Sequence, residues 1–283
     1  MGETIWKIGG REIDLSRRGL IMGVLNVTPD SFSDGGDFFA PEKAIERGIL
    51  LADEGAEIID VGGESSRPGA EPISAEEELR RVIPVIAKLR EATTAMISID
   101  TSKASVARAA LEAGAVILND VTGGRGDPAM MPLAAEQKAA IILMHMQGTP
   151  RTMQLAPHYD NVVTEVADFF RQEYERALSC GIDAMAVAFD PGIGFGKTLD
   201  HNLDLLRNLA RLRVHDRPLV IGVSRKAFIG KLIGSPLLTG RFAPTIALTS
   251  LLRARGANVF RVHDVKENAA ALRTAEAILE AAK

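Results

Sequence analysis

"MISIDTSKASVARAALEAGAVILND", residues 96–120, holds one complete structural unit. Its opening "MISID" is short and mostly apolar, as a strand in a largely covered sheet is. "SVARAALEAGA" then behaves as an amphipathic helix, with apolar residues at helical spacing. "AVILND" repeats the first pattern. Two such strands joined through a helix read as neighbours in a parallel sheet that carries its helices on its faces.

Outward from this unit the pattern recurs. Aliphatic runs stand at 20–26, 57–63, 96–100, 115–120, 141–145, 185–190, 219–224 and 258–264, and amphipathic stretches lie between them. "SAEEELRRVIPVIAKLRE" shows how they start, with Ser74 as a helix N-cap and acids in the first turn. Eight strands alternating with helices predict a single (β/α)8 TIM barrel, and 283 residues is a normal length for one. An open doubly wound sheet is the main rival and usually needs fewer units. No linker or change of composition divides the chain, so residues 1–283 are expected to form one domain. Ahead of the first run, "TIWKIGGREIDL" predicts a short N-terminal β-hairpin turning at Gly9-Gly10 and capping the base of the barrel.

Hydrophobic residues make up 46% of the chain and aromatic ones only 5%, so the core must be aliphatic. A net charge of −4 shows no basic surface for a nucleic acid. The single cysteine, Cys180, rules out an internal disulfide and fits a reducing compartment. The first residues have no signal-peptide core, and no run approaches the ~18 apolar residues of a membrane span. The expectation is a cytoplasmic protein with neither a membrane nor a nucleic acid as partner.

In such a barrel the active site lies at the carboxyl ends of the strands. Those ends carry Asn26, Asp60 to Glu64, Asp100, Asn119 with Asp120, His145, Asp190, Ser224-Arg225-Lys226, and Arg261 with His263. Polar loops are ordinary at one position; the same at all eight implies a ring around one mouth. Its carboxylates and amides suit the edge of a polar heterocycle, and its cations suit an anionic group. "DPGIGFGKT" looks at first like a nucleotide-binding loop, but Pro191 stands where that pattern needs its first glycine. "NVTPDSFSDGGDFF", residues 26–39, follows the first run with an acidic, Gly-rich and aromatic loop, more than a plain turn requires.

The motifs "GVLNVTPDSFSDGG", "GGESSRPGA", "SIDTSK", "DPGIGFGK", "VSRK" and "RVHDV" occur in that order. Together they resemble the dihydropteroate synthase family over nearly the whole chain, from about residue 20 to 280. The resemblance implies an alkyl (pterinylmethyl) transferase of folate biosynthesis. Such an enzyme joins 6-hydroxymethyl-7,8-dihydropterin diphosphate to 4-aminobenzoate and releases pyrophosphate, and it is a sulfonamide target. It also implies Mg2+ as cofactor, held by Asn26, and a homodimer, for which the apolar "APTIALTSLLRARGA" offers a surface.

Residue by residue, the resemblance places Asp100, Asn119, Met144, Asp190 and Lys226 on the pterin, and Asn26, Arg261 and His263 on the diphosphate. Phe32, Ser66, Arg67, Pro68, Phe195, Lys226 and Ala227 would surround the aminobenzoate. Catalytic roles fall to Asp34, Phe32, Lys226 and Arg67, with the 26–39 loop as a lid and Asp34 beside a cationic carbon. The chain departs from the family's usual residues at Ser66, Ala227 and Pro244, none of which removes a catalytic group. A pterin-dependent methyltransferase and a catalytically inactive pterin-binding barrel remain as alternatives. The lid motif and Lys226 point away from the first, and the second is opposed by the absence of any vacant catalytic position.

Overall fold

A computed structural model describes residues 3–28, 41–65, 69–149 and 151–281. Two short strands, β1 (Ile5–Ile8) and β2 (Arg11–Asp14), pair antiparallel across Gly9 and Gly10. Both glycines have positive φ, 54° and 79°, as a two-residue hairpin turn requires. The main sheet is built from β3 (Leu20–Asn26), β4 (Ile58–Gly62), β5 (Met96–Asp100), β6 (Ile117–Asp120), β7 (Ala140–Met144), β8 (Val187–Asp190), β9 (Val220–Ile221) and β10 (Val259–Val262). Its strands run in the order β8-β7-β6-β5-β4-β3-β10-β9, every pair parallel. The ring closes where Phe189 of β8 bridges Leu219 and its N–H reaches the carbonyl of Pro218 at 3.0 Å.

Helices occupy the crossovers: α1 (Pro41–Asp53), α2 (Ala75–Ala92), α3 (Ala104–Ala113), α4 (Met130–Glu136), α5 (Val162–Ser179), α6 (Leu199–Arg207), α7 (Ala227–Leu232), α8 (Phe242–Ala254) and α9 (Val265–Ala281). Their starts follow the sequence. Ser74 accepts the Glu77 N–H at 3.2 Å to open α2, and Asn161 accepts that of Thr164 at 3.0 Å to open α5. The eight strands and the hairpin are those expected, with ends trimmed by a few residues. Helices α4 and α7 were not read from the sequence.

Alternation along the strands divides the core in two. Ile21, Leu25, Ile59, Val61, Ile97, Ile99, Leu118, Ile141 and Leu143 point outward and pack with the helices. Leu20, Met22, Ile58, Ile117, Ala140, Ile142, Ala188, Val220 and Val259 point inward and fill the lower barrel. The hairpin closes that end. Trp6 and Ile8 of β1, with Leu15, join the inner cluster, and the Trp6 indole N–H donates to the Ala186 carbonyl at 3.2 Å. With the base plugged by apolar side chains, the polar inward positions are left for the opposite end.

Candidate active site

Strand register places the inward residues on common levels. Asn26 stands beside Gly62, Gly62 beside Asp100 and Asp100 beside Asn119, while Met144 stands beside Asp190. One level down, Asp60 is fully buried inside the barrel. A hydrogen-bonded network grows from it. Asp60 Oδ2 accepts from Arg261 Nε at 2.6 Å and from Asn119 Nδ2 at 3.0 Å. A second donor of the same guanidinium, Nη2, reaches Asp100 Oδ2 at 2.7 Å. Burial raises the Asp100 carboxyl to about 7, against the attraction of Arg261. Arg261 is held charged: burial opposes its charge, but Asp60 and Asp100 outweigh that and push its pKa above the usual arginine range.

Across the mouth, Asp190 ends β8 and its Oδ1 accepts the Gly192 N–H at 2.7 Å. Burial raises its pKa, with Lys226 pulling the other way. Lys226 precedes α7, donates to the Ile193 carbonyl and sits 4.4 Å from the ring centre of Phe195. Burial lowers its pKa to about 8. The residue before it, Arg225, has φ 58°, a left-handed conformation costly for a side-chain-bearing residue. Asp264 grips its guanidinium twice, the Thr245 hydroxyl accepts its N–H at 3.2 Å, and Arg241 Nη1 donates to its carbonyl at 3.0 Å. That turn aims Lys226 inward. A methyl group built at Gly222 would lie 3.7 Å from Lys226 Nζ, 3.9 Å from Asp190 Oδ2 and 3.9 Å from Arg261 Cβ. Groups 190, 226 and 261 therefore face one small space, and Gly222 keeps it open.

The loop after β8, "DPGIGFGK", is stapled by side chains rather than arranged around an anion. The carbonyls of Ile193, Gly194, Phe195 and Gly196 accept from Lys226, Gln154, Lys197 and the Tyr159 hydroxyl in turn. Gly192 has φ 63°, and a side chain there would stand 2.0 Å from the His145 carbonyl. Beneath the loop, the Lys197 ammonium lies 3.0 Å from His145 Nδ1, and burial pushes the His145 imidazole down to about 2. His145 is therefore neutral and accepts at Nδ1.

The remaining expected residues lie around this centre. Met144 is buried at the end of β7, and Asn26 ends β3 at the rim. His263 follows β10, and its Nδ1 is 3.0 Å from the Ser224 hydroxyl. Ala227 is the first residue of α7. Phe32, Asp34, Ser66, Arg67 and Pro68, and with them most of the 26–39 lid and most of the aminobenzoate wall, lie outside the described residues. Arg261 does more than expected: it links Asp100, assigned to the pterin, to Asp60, which had no assignment. Lys197 was also missed. Asp120 serves the chain itself, accepting the N–H groups of Thr122 and Gly124 at 2.8 and 2.9 Å. His201 completes a capping box with Thr198. Among the described residues no three His, Cys, Asp or Glu side chains gather as a metal cage, and no helix is long and apolar enough to cross a membrane.

A parallel barrel that brings Asp190, Lys226 and Arg261 to one space at its upper mouth, with Asp100 and Asn119 joined to them through Arg261 and Asp60, has the architecture of an α/β-barrel enzyme. The chain belongs to the pterin binding enzyme family, whose model matches residues 22–263. It is 45% identical to dihydropteroate synthase of Escherichia coli K12 over 273 residues, 96% of this chain and 95% of that one. Among solved structures it resembles Xanthomonas albilineans dihydropteroate synthase with 4-aminobenzoic acid, with a TM-score of 0.91 and 44% identity, covering 98% of this chain and 99% of that one. The same enzyme in complex with 7,8-dihydropteroate matches with a TM-score of 0.86 and 41% identity, covering 97% and 98%.

Proposed function

We propose that the chain joins 6-hydroxymethyl-7,8-dihydropterin diphosphate to 4-aminobenzoate, giving 7,8-dihydropteroate and pyrophosphate. The observation that carries this reading is the convergence of Asp190, Lys226 and Arg261 on the space beside Gly222. A pterin edge presents adjacent N–H donors that suit the two oxygens of Asp190, while Lys226 meets ring acceptors from the other side. Asn119 and Asp100 continue the polar edge, and Met144 covers a ring face. Arg261, kept cationic by Asp60 and Asp100, faces the diphosphate with Asn26 and His263.

The reaction breaks the bond between the pterin methylene carbon and the diphosphate oxygen, and the electron pair leaves with the diphosphate. The ring feeds electrons to that carbon, so departure runs ahead of attack. The aminobenzoate nitrogen then bonds to the carbon and sheds a proton to water. Asp34 would stabilise the cationic carbon, with Phe32, Ser66, Arg67, Pro68, Phe195 and Ala227 around the aminobenzoate. Asn26 offers one amide oxygen, which fits Mg2+ because that ion takes most of its ligands from water and phosphate oxygens. When bound, Mg2+ would draw charge into the leaving group. The whole chain would act as one domain in the cytoplasm. It would pair as a homodimer through α8, where Phe242 and Leu251 are exposed.

Purified protein incubated with Mg2+, pterin diphosphate and 4-aminobenzoate is expected to form 7,8-dihydropteroate, with pyrophosphate released, only when all three are present. No 7,8-dihydropteroate under any combination would reject the proposal. Methyl transfer to a corrinoid acceptor would support the methyltransferase instead.

A further inference from the structure

We infer that Lys197 is a positioning residue, tying the end of β7 to the loop after β8 so that Phe195 and Lys226 keep their mutual placement at the aminobenzoate wall. Lys197 is 3% exposed, and its ammonium has three acceptors: His145 Nδ1 at 3.0 Å, the His145 carbonyl at 3.3 Å and the Phe195 carbonyl at 3.0 Å. An ammonium has three donors, so none remains for a substrate. Two of the acceptors are backbone oxygens on different segments. One belongs to His145, whose own N–H is anchored to the Asp190 carbonyl at 2.9 Å. The other belongs to Phe195, whose ring packs against Lys226 Nζ.

The geometry is a lever with a fixed end. The His145 ring is backed by Phe169, with centroids 4.9 Å apart and planes crossed at 88°. The Phe195 end bears the aromatic wall. Burying an ammonium without a carboxylate in contact is unfavourable, and burial has already lowered its pKa to about 7. A plain structural buttress would be cheaper as an apolar residue. What methionine cannot do here is donate to both carbonyls at once, which is what fixes the loop's position over the site.

The inference uses the proposed reaction for its readout. The experiment compares wild type, Lys197→Met, Phe195→Leu and the double variant, measuring kcat, KM for each substrate and Tm. Lys197→Met is expected to raise KM for 4-aminobenzoate about tenfold and to leave KM for the pterin diphosphate within about twofold. If Lys197 acts through Phe195, the two substitutions are non-additive, and the double variant is no worse than Phe195→Leu alone. Effects that multiply, or an unchanged 4-aminobenzoate KM in a folded Lys197→Met, overturn the inference. Lys197→Gln, which keeps a donor, should fall between the two; loss of cooperative melting in both Lys197 variants would assign the residue to stability and overturn the inference too. Should wild type release no pyrophosphate, the proposed reaction fails separately. Calorimetric titration of the same four proteins with 4-aminobenzoate then reads the coupling directly.

Discussion

Arg261 and Asp60 meet at 2.6 Å inside the barrel, and the carboxylate oxygen that receives the guanidinium also receives Asn119 at 3.0 Å. One buried acid thus sets the aim of a cation assigned to the diphosphate and of an amide assigned to the ring. Asp60→Ala strips a partner from a buried charge, leaving Arg261 with Asp100 alone. Breaking such a pair costs ~3–5 kcal/mol, and the remaining acid places the expected loss near the lower figure. The kcat/KM should also fall at least tenfold, or ~1.4 kcal/mol of transition-state stabilisation. Asp60→Asn, which keeps an acceptor, should lose less of both. Denaturant unfolding and steady-state kinetics check this; an Asp60→Ala protein as stable and active as wild type would dispose of the network's role.

The pH dependence follows from two buried groups. Lys226 has a pKa lowered to about 8, so its ammonium is present below that pH and lost above it. The kcat/KM is expected to fall as pH rises through about 8, well before an exposed lysine would titrate. Asp100 gives a separate signature in stability. Its native pKa, about 7, lies above the unfolded value of ~3.9, so the folded chain binds the extra proton. Stability from this group is present below the unfolded pKa and is lost as pH rises toward 7. Asp100→Asn should flatten that slope in Tm measured between pH 4 and 8, while lowering activity. A steeper slope in the variant would contradict the assignment.

The barrel was legible because both faces of each strand are buried, and "AVILND" or "LIMGVLN" carries that fact without context. Helices α4 and α7 were not legible. At seven and six residues each is under two turns, too short for a 3.6-residue period to show. The ring of Asp100, Asn119, Asp190 and Arg261 could be read because strand ends become mouth positions once a barrel is accepted. Asp60 lies one level deeper, and nothing in "EIIDVGG" tells whether its carboxylate faces a ligand or another residue. Lys197 was hidden differently. Its partners are backbone carbonyls of residues 145 and 195, and a carbonyl leaves no trace in a sequence.

The plug at the opposite end offers a control, since it shares the barrel but not the mouth. Trp6 is fully buried among inward-facing aliphatic residues and donates to Ala186. Trp6→Ala should cost ~3–5 kcal/mol through the cavity it leaves. Trp6→Phe loses the hydrogen bond and some volume, and should cost less, about 1–2 kcal/mol. For either variant, kcat per folded molecule is expected to stay within about twofold of wild type. A large change in kcat at full folding would show that base and mouth are mechanically coupled.

Gly222 separates folding from binding at the mouth itself. A methyl group there makes only ordinary contacts, 3.7–3.9 Å from Lys226, Asp190 and Arg261, and the backbone is not left-handed. Gly222→Ala should therefore fold normally and even gain ~0.4–1 kcal/mol, because alanine restricts the unfolded chain more than glycine does. The same methyl group fills the space those three side chains face, and a ring bound edge-on to Asp190 would collide with it. The expected result is an unchanged or raised Tm with pterin affinity weakened at least tenfold, about 1.4 kcal/mol. Calorimetric titration with a pterin reads it in one experiment. If Gly222→Ala binds pterin as wild type does, the ring does not lie where Asp190, Lys226 and Arg261 converge, and the proposed site is misplaced.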